Sequence, residues 1–139
     1  KPFEFSTIAI VNHPIINKKY KRVELNYKNI EEKLIVHSIK GGEFYSNIDF
    51  CYEDLNYLVR YFSDDLSNLK KVGPYKETHP ADIQGESKIT RYAFISETYV
   101  VQVACMDWSN KITEFKGWKD NLSVTISSKE FNLWSTQSK

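Results

Sequence analysis

The chain reads as an α+β domain: an antiparallel β-sheet, with a meander in its C-terminal half, and one or two helices packed on one face. Three observations predict this. The stretches "RYAFISE", "YVVQVACMDW", "KITEFKGW" and "LSVTISS" alternate apolar and polar residues. Only Glu97-Thr98, Ser109-Asn110 and Lys119-Asp120-Asn121 separate them, spacings that suit hairpins. Aromatic residues make up 14% of the chain, with nine Tyr and eight Phe, and aromatic side chains suit a pleated, half-buried surface. Elsewhere the apolar period switches to that of a helix.

The elements follow in chain order. "FEFSTIAIV", from Phe3 to Val11, reads as a strand that Asn12-His13-Pro14 breaks. "KRVELNY", from Lys21 to Tyr27, alternates around Val23, Leu25 and Tyr27 and is expected to be a second strand. Ile30, Leu34, Ile35, Ser38 and Ile39 then fall at helical spacing. Asn29 is the expected N-cap, and Gly41-Gly42 the expected stop. "EFYSNIDF" alternates as a strand. Residues 52–72 allow two readings. Leu55, Leu58, Phe62, Leu66 and Leu69 form a helical stripe, whereas Leu55, Tyr57, Val59 and Tyr61 alternate towards a turn at Ser63-Asp64-Asp65. Residues 73–87 carry two prolines and two glycines and are expected to be the longest loop. "SSKEFNLWSTQ" closes the chain as a short helix capped by Ser127 or Ser128. No repeat or linker interrupts residues 1–139, so a single domain is expected.

Charge narrows the partners. Nineteen basic and eighteen acidic side chains leave a net charge of +1, without the basic excess of a dedicated nucleic-acid binder. No apolar run reaches the length of a membrane span, so neither nucleic acid nor membrane is an expected partner. The run "KKYKR", Lys18 to Arg22, suits a strand-edge gatekeeper better than a nucleic-acid grip. Cys51 and Cys105 allow one disulfide, or two buried free thiols. Asn121-Leu122-Ser123 matches a glycosylation acceptor triplet, which matters only in a secreted eukaryotic protein.

Reactive chemistry finds little support. His13, His37 and His79 sit on separate segments, without the local spacing of a closed zinc site. Cys51 and Cys105 lie in apolar company, which suits inert thiols better than nucleophiles. No serine sits in a G-x-S-x-G elbow. Glu53-Asp54 and Asp64-Asp65 are adjacent in sequence and read as solvated pairs. The chain is therefore expected to be no enzyme, and to need neither metal nor cofactor. All three tryptophans, Trp108, Trp118 and Trp134, fall in thirty residues. Core packing is the first reading of that cluster, and interface anchoring the second.

The order of two strands, a capped helix ending in Gly-Gly, further strands, a long loop, a meander and the closing "SSKEFNLW" resembles small immunity proteins of bacterial polymorphic toxin systems, including contact-dependent inhibition systems. The resemblance implies a non-catalytic cytoplasmic domain that binds a cognate toxin domain and blocks it. This chain is neutral where many immunity proteins are acidic. On that reading the partner-binding residues are Asp64, Asp65, Glu77, His79, Asp82, Trp108 and Trp118. The alternative is a secreted or periplasmic module for a small apolar ligand. It requires a Cys51–Cys105 disulfide and an internal cavity, and a removed signal peptide would leave no trace in a chain that starts at Lys1.

Overall fold

The computed structural model describes residues 4–137. Its elements are β1 (Ser6–Ile10), β2 (Arg22–Ile30), β3 (Lys33–Tyr45), α1 (Ile48–Asp65), β4 (Lys70–Thr78), β5 (Lys88–Ile95), β6 (Tyr99–Asp107), α2 (Asn110–Lys116), β7 (Asp120–Ser128) and α3 (Lys129–Gln137). The strands form one antiparallel sheet in the order β1-β2-β3-β7-β6-β5-β4. The α+β class and the antiparallel sheet are as the sequence predicts.

Over residues 52–72 the helical reading holds as far as Asp65, where α1 ends; Lys70–Val72 already belong to β4. Asn47 caps α1, its side chain accepting a hydrogen bond from the Asp49 N–H at 2.9 Å, and Asp49 suits the positive helix start. Cys51, Leu55 and Val59, at helical spacing, are buried against Phe94, Val101, Val103, Cys105 and Leu122. Burying a side chain such as Leu55, only 2% exposed, contributes about 2 kcal/mol. A disulfide joins Cys51 to Cys105 and so bonds α1 to β6, with a Cα–Cα distance of 6.1 Å.

Side chains alternate across a strand, so odd and even positions on β7 face opposite ways. Leu122 faces α1. Ser127 faces the other side, where its hydroxyl bonds the Asn132 side chain of α3 at 2.8 Å. The two helices thus lie on opposite faces of the sheet. Ser128 caps α3 as expected, accepting from the Phe131 N–H at 3.0 Å. Phe5 lies between His37, Phe131 and Trp134, with ring centroids 5.2, 5.2 and 5.0 Å away. Lys28 sits 4.6 Å from the Phe5 ring centre and bridges Glu4 and Glu130. The Glu130 hydrogen bond, then that of Glu4, raises the Lys28 ammonium above its usual pKa. Trp134 therefore has the packing role expected of it.

Four expectations are corrected. The helix expected over Asn29–Lys40 is instead a hairpin. Glu31 and Glu32, at φ 50° and 66°, form the two-residue turn between β2 and β3. The apolar spacing that mimicked a helix arises because β3 carries apolar side chains on both faces, Leu34 and Val36 on one and Ile35 on the other. Gly41-Gly42 is not a cap but a paired stretch of β3. At Gly41 the Tyr20 ring fills the space a side chain would need, since an added Cβ would lie 2.9 Å from Tyr20 Cγ. The element order behind the immunity-protein resemblance thus loses its first helix.

"EFYSNIDF" is strand only to Tyr45, because Asn47 caps α1 within it. "KITEFKGW" is mostly α2: Ser109 caps it by accepting from the Ile112 N–H at 3.3 Å, and Gly117 closes it at φ 67°. The expected 73–87 loop is half strand. β4 runs to Thr78 and takes Gly73-Pro74 into an irregularity of its register on an edge of the sheet, where proline removes no needed donor. Phe3, the expected start of the first strand, lies outside the described residues.

Candidate functional site

The two remaining tryptophans meet where β6 passes into β7. Helix α2 is only seven residues long, so it forms an arch whose feet are Trp108 and Trp118. Their ring centroids lie 4.8 Å apart at 56°. The His79 ring also meets Trp108, with centroids 4.3 Å apart and the planes tilted by 47°. Lys116 Nζ stands 4.5 Å from the Trp118 ring centre, within range of a cation–π contact. Phe44, on the sheet face opposite α1, completes the lining, and is 47% exposed. Phe44, Trp108 and Trp118, with Lys119 and Asn121, line an open cleft of about 490 Å³. A neighbouring cleft of about 320 Å³ shares Phe44, Trp108 and Lys119, and adds Asn110, Thr113 and Asp120.

A buried polar network holds the arch in place. The Asp82 carboxylate accepts from the Ser87 hydroxyl at 2.6 Å and from the Ser87 N–H at 2.8 Å. Its other oxygen accepts from the Gln84 N–H at 3.1 Å. The Ser87 hydroxyl oxygen in turn accepts from the Ser109 N–H, at the start of α2, at 2.9 Å. Loop 79–87 is thereby docked on α2. The Ser87 hydroxyl is the main reason the Asp82 carboxyl lies below its usual pKa, opposed by desolvation. At the other foot, Asp120 accepts from the Trp108 N–H at 2.8 Å. Burial, with the nearby Asp120 charge, raises the Asp107 carboxyl above its usual range.

Of the seven residues expected to bind a partner, His79, Trp108 and Trp118 come together. Asp82 belongs to the same neighbourhood but is buried at 5% exposure, so it shapes the loop and offers no contact surface. Glu77 is exposed on β4 and pairs with Arg91 at 2.6 Å. Its cross-strand line runs through Ile89, Met106 and Asn121 to Phe44, so it lies on the cleft's side of the sheet, four strands from Phe44 and two residues before His79. Asp64 and Asp65 end α1 on the opposite side of the sheet and take no part in the cleft. Sequence reasoning missed Phe44, because alternation places it on a strand without telling which face stays open. It also missed the Asp82–Ser87–Ser109 network, which joins residues distant in sequence and carries no motif.

The site offers flat aromatic surfaces, amide and hydroxyl groups and two lysines. Both thiols are consumed by the disulfide, which removes the Cys–His nucleophile as a possibility. His13 Nδ1 accepts from the N–H groups of Ile15 and Ile16 in a turn, and His37 Nδ1 lies 2.9 Å from Ser128 Oγ. Among the described residues no group of three His, Cys, Asp or Glu side chains is placed to hold a metal ion. No described helix is long and apolar enough to cross a membrane. No protein-family model, curated protein or solved structure matches the chain.

Proposed function

We propose that the chain is a non-catalytic protein-binding domain whose working surface is the Phe44–Trp108–Trp118 cleft. One observation carries the reading: Trp118, 37% exposed, and Phe44 line an open cleft beside Trp108, where Asp120 and Ser87 hold the backbone N–H groups of Trp108 and Ser109. Partly exposed rings on a rigid frame are typical interface anchors, because little conformational freedom is lost when they dock. Lys116, Lys119, Asn110 and Asn121 supply a polar rim.

The specific role within that reading is that of an immunity protein masking a toxin domain. The disulfide supports a meeting place in an oxidising compartment rather than the cytosol, since such bonds are rare in reducing cells. The experiment is a capture assay from the native cell with the wild-type chain, Trp118→Ala and the Phe44→Ala/Trp118→Ala pair. The wild type should retain a protein whose toxicity it suppresses, and the double variant should lose it. Equal retention by all three would end the proposal.

A second reading keeps the secreted module for a small apolar ligand. The disulfide favours it, and the larger cleft is of ligand size, although open rather than internal. An apolar fluorescent probe that saturates the wild type, and not Trp118→Ala, would select this reading.

A further inference from the structure

The sheet face under α1 is only half covered. One cross-strand line runs Ile8–Leu25–Ile39–Ile126–Val101–Phe94 across six strands. Phe94 and Val101 lie beneath α1 at 1% and 3% exposure, whereas Ile126, Ile39 and Ile8 are 49%, 48% and 41% exposed. Val36 and Leu34 extend the bare area towards the β2–β3 turn at 48% and 59%. Strands lie about 4.8 Å apart and a helix is about 10 Å across, so α1 roofs two or three strands and leaves room for a second helix beside it. Contiguous exposed apolar patches larger than a few hundred Å² mark contact sites in soluble proteins.

The matching surface is on the same molecule. Phe50, Tyr57 and Tyr61, spaced by seven and then four residues, share one narrow stripe of α1, at 55%, 58% and 53% exposure. That stripe lies nearly opposite the buried Cys51–Leu55–Val59 face. A helix apolar on two opposite sides is suited to burial on both. Charge agrees. Helix α1 carries Asp49, Glu53, Asp54, Asp64 and Asp65 against Arg60, five negative and one positive, net −4. Lys18, Lys19 and Lys21 flank Tyr20, whose ring rests on Gly41 of the bare face.

We propose that the bare face is occupied by α1 of a second copy of this chain, in a two-fold dimer where each helix fills the other sheet's vacant slot. A two-fold axis along the strands achieves this, because it exchanges the covered and bare halves of the face. The α1 axis follows the strands: Cys51 is bonded to Cys105 and Phe62 meets Phe94, four residues along the sheet by register. The incoming Tyr57 and Tyr61 then fall on the Ile126–Ile39–Leu25 line. The contact is self-complementary and closes at two copies. It uses the sheet face opposite the Phe44–Trp118 cleft, which stays free.

The test is sedimentation velocity of the oxidised chain over a dilution series up to about 100 μM, with Ile39→Lys and Tyr57→Lys. The wild type should sediment at twice 16.3 kDa and each variant at 16.3 kDa, with unchanged circular dichroism because both positions are exposed. Ile39→Cys should form an interchain crosslink with Tyr61→Cys. A monomer throughout the series, or a dimer that survives both lysine substitutions, overturns the proposal. A monomer would assign the face to a different occupant.

Discussion

The two halves of the sheet make instructive opposites. On β5, β6 and the Leu122–Val124 stretch of β7, the α1 side is covered, and Val103 and Cys105 are wholly buried, with Phe94 at 1%. On β1, β2 and β3 most of the corresponding side is open: Ile8, Val36 and Ile39 are each more than 40% exposed, and only Val23 is buried, beside Gly41 under the Tyr20 ring. Both halves have similar apolar content along their strands. What separates them is a single helix and the bond that fastens it. Stability is therefore concentrated in the covered half, and the open half is left as surface.

The disulfide offers the largest test of that contrast. It closes a loop of 54 residues, for which the chain-entropy account gives about 4 kcal/mol. Reduction, or Cys51→Ala with Cys105→Ala, should lower the urea midpoint accordingly. A change below about 0.5 kcal/mol would show that α1 is held by packing alone. Next, Leu55→Ala should cost about 3 kcal/mol through the cavity it leaves under α1, whereas Ile39→Ala in dilute monomer should cost under about 0.5 kcal/mol. Comparable costs at the two sites would erase the distinction between the halves.

A smaller effect is expected at the aromatic arch. Ser87→Ala removes a fully buried hydroxyl that joins Asp82 to the α2 start, at a cost of about 2 kcal/mol. The same network predicts an acid response. The Asp82 pKa is depressed on folding, so the stabilisation is complete above the ordinary carboxyl value of 3.8 and is lost as pH falls below it, through the folded value. Tryptophan fluorescence from Trp108 and Trp118 should change in that window in the wild type, and not in Asp82→Asn. The smallest effect is a gain. Glu31→Asn with Glu32→Gly places residues that accept positive φ in the β2–β3 turn, and should stabilise by about 1 kcal/mol in thermal melts. A loss would mean that the glutamates do more than turn the chain.

The same contrast separates what was legible in the sequence from what was not. β5, β6 and β7 were readable because one side is firmly buried, so Val101 and Val103 flank the polar Gln102 in β6. Around β3 the pattern fails, since Leu34, Ile35 and Val36 are consecutive and exposed on both faces, and helical spacing emerges by coincidence. The turn was hidden too: Glu-Glu in the left-handed region is uncommon, and turn rules look for Asn-Gly. α2 was missed because seven residues offer too few periods to distinguish helix from strand. At the site, the tryptophan cluster was visible as composition, but the pairing of Trp108 with Trp118 depends on how α2 arches. Asp82 was read as surface because loop carboxylates usually are, and only its three hydrogen bonds explain its burial.

Residue-resolved hydrogen exchange on dilute, oxidised protein tests the central contrast most directly. Amides of β6 and β7 around Val103 and Val124 should exchange last, only through global unfolding. Those of β1 and the β2–β3 hairpin tip should exchange early, through local opening, and the hierarchy of the covered half should compress on reduction of Cys51–Cys105. Equal protection of Ile8, Leu25 and Val103 amides in the monomer would contradict it.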